Sequence, residues 1–350
     1  MQNSETEFLK NNIDILCCPK CEHDLVFEED RFTCGDCSQI FGFNSDIPSL
    51  YCPNEWDHEK QDITLDMKSF YEENPFPDYD NFDSIASLID KSRDGVFSKL
   101  LDDGIPPSAR VLECGCGTGQ LTNFLSIANR TVVGTDMCLN SLKLARGFKD
   151  DHGLKNAHFF QMNLFKPCFK PESFDLVISN GVLHHTSDPF LGFKTISSLV
   201  KPNGYILIGL YHTYGRLITD FRRIIFSALN DNFKFLDPRL INQDIAVKKR
   251  HAWFMDQYKN PHESKHTQNE AAQWLNETGF KFIKSIPKTV PFEYVDSSEQ
   301  LFSEERMGNW FERALTNLGM IFTGSKEGGF FTVIGKKIDK SHLNKTSSRN

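Results

Sequence analysis

Residues 110–136 leave this chain few choices of fold. An apolar run, Arg110-Val-Leu, ends at Glu113, and glycines follow at alternate positions, Gly115, Gly117 and Gly119. Without a Cβ the backbone there can turn sharply and approach a ligand closely. Residues 120–128 then place Leu121, Phe124, Leu125 and Ala128 on one helical face. A second apolar run, Thr131-Val-Val, leads to Asp136. Strand, tight loop, helix and strand in this order predict a parallel sheet that binds its ligand between a strand's carboxyl end and a helix N-terminus.

Spacing narrows the ligand. A dinucleotide pyrophosphate calls for G-x-G-x-x-G, whereas Glu113 here opens E-x-G-x-G-x-G. A carboxylate at the loop suits a ligand that carries an ammonium group and no phosphate. Asp136, at the end of the second strand, is placed to accept hydrogen bonds from two ribose hydroxyls. The expected ligand is a nucleoside bearing an amino acid.

The rest of the chain extends the pattern. Phe174-Asp-Leu-Val-Ile-Ser and Tyr205-Ile-Leu-Ile alternate with helical stretches up to about Gly209, which implies a sheet covered by helices on both faces. Residues 211–266 break the rhythm and read as a helical cap over the ligand edge, with helical spacing over 217–229. A capping box at Thr267 and Glu270 starts a helix over 271–278, Gly279 stops it, and the strand Phe280-Lys-Phe-Ile follows. A helix over 304–318 and a strand over 329–335 complete the chain's regular structure. The expected divisions are a Cys-rich module at 1–55, a helical lead-in at 56–108, the main domain at 109–337 and a disordered tail at 338–350. Within the lead-in, Tyr71 precedes a proline-broken bend and is a candidate lid over the ligand.

These residues, with Asn180-Gly-Val-Leu-His-His-Thr-Ser-Asp-Pro189 and Leu199-Val-Lys-Pro-Asn-Gly-Tyr205, resemble the class I S-adenosylmethionine-dependent methyltransferase superfamily, above all its type 11 and 12 members. The resemblance covers residues 105–210 well and 267–337 in outline. It implies an α/β, Rossmann-like fold: a seven-stranded, mostly parallel sheet with a final antiparallel strand and helices on both faces, here with an N-terminal zinc ribbon and a helical cap. It also implies S-adenosylmethionine as methyl donor. Gly115, Gly117 and Gly119 would line its methionine part, Asp136 its ribose and Met137 one face of its adenine. Asn163 falls where many relatives carry Asp near the adenine amino group, and Glu113 and Asn180 complete the expected cofactor set. His185 and His212, after the fourth and fifth strands, are with Tyr71 the catalytic candidates.

Cys18, Cys21, Cys34 and Cys37 form C-x2-C-x12-C-x2-C, two knuckles that can place four thiolates tetrahedrally around Zn2+. Four protein ligands leave no open position, so the expected metal is structural. Cys17 and Cys52 fall outside the spacing and read as free. The stretch up to Leu50 is similar to the zinc ribbon of the small activator subunit of translation-related methyltransferases, and to N-terminal ribbons on some rRNA guanine methyltransferases. That similarity makes RNA a candidate acceptor and the ribbon a candidate protein-binding surface. His262-Glu-Ser-Lys-His266 matches the zinc-protease motif H-E-x-x-H, whose chemistry needs both His on one helical face. Pro261 before it and the capping box after it predict a loop instead. His251, Trp253, Asp256, Tyr258, His262, Glu263 and His266 are candidates for the wall of an acceptor pocket.

Composition sets the outer limits. A formal net charge of −8 is a poor footprint for general nucleic-acid binding. No run approaches the roughly 18–20 apolar residues that span a bilayer, and the opening residues have neither a basic nor an apolar leader region. The ten cysteines are therefore expected as thiols or metal ligands in the cytoplasm. The leading expectation is methyl transfer to an O, N or C nucleophile of a small molecule. An RNA base comes next, and a noncatalytic cofactor-binding scaffold third.

Overall fold

In the computed structural model, residues 2–56, 62–77, 84–324 and 328–339 are described. Among them eleven strands make one sheet: β1 (Leu25–Glu28), β2 (Arg31–Cys34), β3 (Ile40–Asn44), β4 (Ile47–Ser49), β5 (Arg110–Cys114), β6 (Thr131–Asp136), β7 (Ala157–Gln161), β8 (Phe174–Asn180), β9 (Val200–Tyr211), β10 (Phe280–Ile286) and β11 (Phe330–Lys337). Their spatial order is β1-β2-β3-β4-β7-β6-β5-β8-β9-β11-β10. The block β7-β6-β5-β8-β9 is parallel, and β11 runs antiparallel to both β9 and β10. The order turns back at β5, with β6 on one side and β8 on the other, which is where an open α/β sheet leaves a crevice at its carboxyl edge.

Alternation along these strands feeds two cores. Leu112, Val133, Val177 and Ile208 pack on one face of the sheet, while their neighbours Val111, Val132, Leu176 and Leu207 pack on the other, as the period of two requires. Helices supply the covering layers. Phe193 and Ile196 of helix Pro189–Ser197 and Leu275 of helix Gln268–Glu277 join the first core. Phe124 and Leu125 of helix Gln120–Ser126 and Leu100 and Leu101 of helix Val96–Gly104 join the second. This is the α/β, Rossmann-like sheet that the resemblance implied.

The Cys-rich module does not stand beside this sheet; it continues it. β1 to β4 are antiparallel, and β4 pairs with β7 in parallel through Ser49 and Gln161. Leu25, Phe32, Phe41 and Leu50 share a core with Phe160 and Phe169. Helix Gln2–Asn11 is pinned to the same edge by the buried Glu5, which meets Lys149 Nζ at 2.5 Å and His158 Nδ1 at 3.3 Å.

The insertion leaves and returns at one point. His266 N donates to Tyr211 O at 2.8 Å, and Thr213 N donates to His266 O at 2.9 Å. Between them lie helices Leu217–Ala228, Pro238–Ile241 and Val247–Phe254, the last running into a π-helical turn, Met255–Lys259. Residues 262–265 are not helical, so the H-E-x-x-H sequence presents no histidine pair on a helical face. The helix expected over 304–318 starts later, at Trp310, and runs to Thr323, because Asn309 and Glu312 form a reciprocal capping box that fixes its first turn. Ile338 and Asp339 follow β11, and the rest of the expected tail, residues 340–350, lies outside the described residues. Among the described residues no helix is long and apolar enough to cross a membrane.

Candidate active site

A cavity of about 630 Å³ lies at the carboxyl ends of β5, β6, β8 and β9, roofed by the lead-in and the insertion. Its size falls within the range of small-molecule and cofactor sites. Glu113, Gly115, Gly117, Asp136, Met137, Asn163, Asn180, His185 and Tyr71 all line it. Gly119 and His212 are not among the lining residues.

At the sheet end, each Asp136 oxygen accepts one backbone hydrogen bond, Oδ2 from Gly117 N at 2.9 Å and Oδ1 from Cys138 N at 2.8 Å. Lone pairs remain on both oxygens. Glu113 is buried and accepts from Thr122 Oγ1. Burial pushes its carboxyl up to about 7, and the Asp136 charge adds to the rise. Burial raises Asp136 as well. Two carboxylates close together in a dry site gain most from a positively charged or hydroxyl-rich ligand. Asn163 donates to Cys52 O at 2.9 Å and to Asn54 Oδ1 at 2.7 Å. The Oδ1 of Asn180 has no hydrogen-bond partner although it is buried.

The lead-in is closed onto this end. Thr118 N donates to Phe76 O at 3.3 Å and Thr118 Oγ1 donates to Pro77 O at 2.5 Å. Glu72 Oε1 and Oε2 accept from Leu139 N at 2.7 Å and Asn140 N at 2.8 Å, capping the helix Leu139–His152 that follows β6. Gly119 takes φ +72° as the cap of helix Gln120–Ser126, and a Cβ there would meet Ala145 at 2.6 Å. Its place is turn and packing, away from the cavity.

At the roof, Tyr71 OH donates to Asp256 Oδ1 at 3.0 Å and accepts from Asn260 Nδ2 at 2.8 Å, joining the lead-in to the insertion. Burial raises the Tyr71 phenol well above its usual range. Gln257 Nε2 donates to Asp256 Oδ2 at 2.8 Å and to Tyr211 OH at 2.7 Å. His185 Nδ1 lies 2.8 Å from His262 O; a carbonyl only accepts, so the proton sits on Nδ1 and Nε2 keeps its lone pair. Burial lowers the His185 pKa and keeps the ring neutral, against the opposing pull of Asp256.

His212 has a different environment. Its ring is fully buried, Nε2 pairs with Asn317 Oδ1 at 2.9 Å and Nδ1 accepts from Gly215 N at 3.2 Å, so both nitrogens are engaged away from the cavity. Of the insertion residues singled out from the sequence, Trp253 and Asp256 line the cavity. Glu263 is buried against Arg216 and Arg223, Tyr258 OH donates to Asp237, and His266 pairs with Ser264. Tyr211, Gln257 and Phe330 also line the cavity and escaped the sequence reading. Only Tyr211, at the carboxyl end of a predicted strand, carried a signal that could have found it.

The four cysteine sulfurs of the N-terminal module lie within 4.8 Å of one another. Cys18 and Cys37 are 3.6 Å apart and Cys21 and Cys34 3.4 Å apart, far beyond the roughly 2 Å of a disulfide. A tetrahedron with Zn–S bonds of about 2.3 Å has edges of about 3.8 Å, so the donor set fits a zinc ion.

The sequence profile described as "Methyltransferase domain" matches residues 105–279. An uncharacterised protein of Synechococcus is 28% identical over 199 residues, covering 50% of this chain and 48% of that protein. A ubiquinone biosynthesis O-methyltransferase of Paracidovorax citrulli is 32% identical over 107 residues, covering 30% of this chain and 45% of that protein. The chain thus spans about half the length of these curated relatives. A solved S-adenosylmethionine-dependent methyltransferase from Aquifex aeolicus has 14% identity and a TM-score of 0.40, covering 73% of this chain and 97% of its own. With the profile matching half of its length, over the glycine loop and most of the cavity, the chain belongs to the methyltransferase-domain family, the S-adenosylmethionine-dependent class that its glycine loop resembles.

Proposed function

We propose that this protein transfers the methyl group of S-adenosylmethionine to a nucleophile on a small molecule held between the carboxyl edge of the sheet and the insertion. The observation that carries the reading is one cavity with two chemically different ends: Glu113 and Asp136 at the sheet, Tyr71, His185 and Asp256 at the roof. Asp136 receives the ribose hydroxyls and Glu113 the ammonium of the amino-acid part, whose chain runs past Gly115 and Gly117. Met137 and Asn163 border the adenine, and Asn180 offers its free Oδ1 beside the methionine part. The cofactor, when bound, supplies a methyl group on a sulfonium, a leaving group that needs no further activation. The protein's task is then to position the acceptor and to remove its proton. Neutral His185, oriented through Nδ1 and with Nε2 free, takes that proton.

A small acceptor is favoured by charge. The ionisable lining groups include three carboxylates, Glu113, Asp136 and Asp256, and one lysine, Lys91, a set that repels a phosphate backbone. The four-cysteine module holds a structural zinc ion in this reading.

Calorimetry with S-adenosylmethionine on wild type and Asp136→Ala tests the donor half. Binding that is lost or at least about tenfold weaker in the variant supports it; no binding, or equal binding, overturns it. Incubation with methyl-labelled S-adenosylmethionine and separated small-molecule and RNA fractions of a cell extract tests the acceptor half. Label appearing in RNA would overturn the small-molecule assignment.

A further inference from the structure

Asp256 is about 6% exposed, lines the cavity and, among the described residues, has no cation within ion-pairing distance. Its partners are neutral: Tyr71 OH at 3.0 Å, Gln257 Nε2 at 2.8 Å and Tyr211 OH at 3.4 Å. Three cationic groups of the insertion are already matched. Arg216, fully buried, is held by Glu263, by Gln257 Oε1 and by Gly328 O. Arg223 shares the Glu263 carboxylate, and Lys265 is paired with Asp220. The side chain of Gln257 lies between Arg216 and Asp256, donating to one and accepting from the other. A buried carboxylate with only neutral donors is expensive unless a positive charge completes it.

The surroundings specify what that charge is attached to. Tyr71 and Tyr211 bond Asp256 directly and Phe330 stands edge-on to Tyr211; with Trp253 they give the cavity aromatic walls, which favour an organic cation over a hydrated metal ion. Tyr71 links Asp256 to His185: its hydroxyl bonds the carboxylate, and its ring stands edge-on to the imidazole at 6.0 Å between centroids.

Taking the cavity as a methyl-transfer site, as proposed above, we infer that the acceptor is an amine whose ammonium group is recognised by Asp256. The ammonium docks on the carboxylate with its hydrocarbon body against the aromatic walls. One N–H proton passes to His185 Nε2, freeing the nitrogen lone pair. That pair forms the new N–C bond as the donor's S–C bond breaks, with the bonding pair staying on sulfur, and His185 then releases its proton to solvent.

The test is equilibrium binding of two probes of nearly equal shape, phenethylamine and the uncharged 2-phenylethanol, measured on the full chain with and without S-adenosylhomocysteine. Wild type is expected to bind the amine at least tenfold more tightly, and Asp256→Asn to lose that preference while still binding S-adenosylhomocysteine. Equal affinity for the two probes, no binding of the amine, or an undiminished preference in Asp256→Asn would each overturn the inference. The wild-type comparison stands even where the variant fails to fold. Because the probes are also measured without cofactor, an amine preference with no cofactor binding would strike the proposed methyl transfer alone, and cofactor binding without the preference would strike Asp256 recognition alone.

Discussion

The carbonyl oxygen of Phe76 lies 2.2 Å from where a Cβ on residue Gly117 would stand. The close approach that the glycine loop makes possible is thus used by the protein's own lead-in, which closes over the cavity. Gly117 also has φ +53°, a conformation costly for any side chain. In Gly117→Ala the obstacle is backbone on both sides, so the lead-in must move off the loop. The expected result is S-adenosylmethionine affinity lowered about tenfold or more, with the global fold retained by circular dichroism. Unchanged affinity would show that lead-in closure does not contribute to binding.

Glu113 gives the site a pH dependence whose sign follows from its burial. Its carboxyl stands at about 7 without ligand, and a bound ammonium would favour the ionised form and lower that value. Binding then releases a proton below the free pKa, so affinity should rise with pH up to about 7, by as much as about tenfold per pH unit, and level off above it. Free-protein stability should move the opposite way, falling between the unfolded value of 4.5 and about 7, because the native carboxyl still holds a proton that the unfolded chain has lost. Calorimetry in buffers of different ionisation enthalpy reads the proton release. A pH-independent affinity in wild type, or the same dependence in Glu113→Gln, would contradict the assignment.

The loop end of the cavity was readable because its parts are close in sequence: Glu113, Gly115, Gly117 and Asp136 come from one strand, loop and strand whose spacing is set by local geometry. The roof was less readable, because its contacts join distant segments. Tyr71 meets Asp256 only once the insertion has folded over the lead-in, and a π-helical turn, which no periodicity announces, aims Asp256. His185 and His212 looked equivalent as residues following strands. What separates them is Asn317, brought in by the helix Trp310–Thr323 to occupy the ring of His212. The expected strand count includes β7, but no residues marked it: Ala157-His-Phe-Phe-Gln161 is buried on both faces and so shows no alternation. With β7 unlocated, the union of the Cys-rich module with the main sheet through Ser49 and Gln161 could not be foreseen.

Metal removal should act on that union from its outer side. β4 is tied to β7 by one register pair and by Leu50 N donating to Gln161 O at 3.0 Å, while β1 to β3 hold their shape around the four sulfurs. Metal analysis should give about one zinc per chain, and Cys34→Ser should lower it sharply. After chelation, trypsin should cut first at the exposed Lys20 and Arg31, leaving the β5 to β9 block intact. A protein isolated without metal, equally resistant to trypsin with and without chelator, would remove the zinc assignment.

The insertion depends on a buried ion pair whose loss should be costly. Arg216 and Glu263 have side chains 0% and 1% exposed, and the guanidinium also lies 3.9 Å from the centre of the Tyr211 ring. Removing the carboxylate in Glu263→Ala leaves the buried cation with Gln257, Gly328 O and the Tyr211 ring, and breaking such a pair typically costs about 3–5 kcal/mol. Because those neutral partners remain, the lower end of that range is expected in urea unfolding. The pH sign is also fixed. Burial acts to raise the Glu263 pKa, but Arg216 and Arg223 outweigh it and hold it below 4.5. The contribution is therefore fully present above 4.5 and is lost as pH falls through the lowered native value. Wild type should lose its advantage over Glu263→Ala in acid. A difference under about 1 kcal/mol at neutral pH, in the range of exposed pairs, would mean that the insertion is held by its apolar contacts and not by this pair.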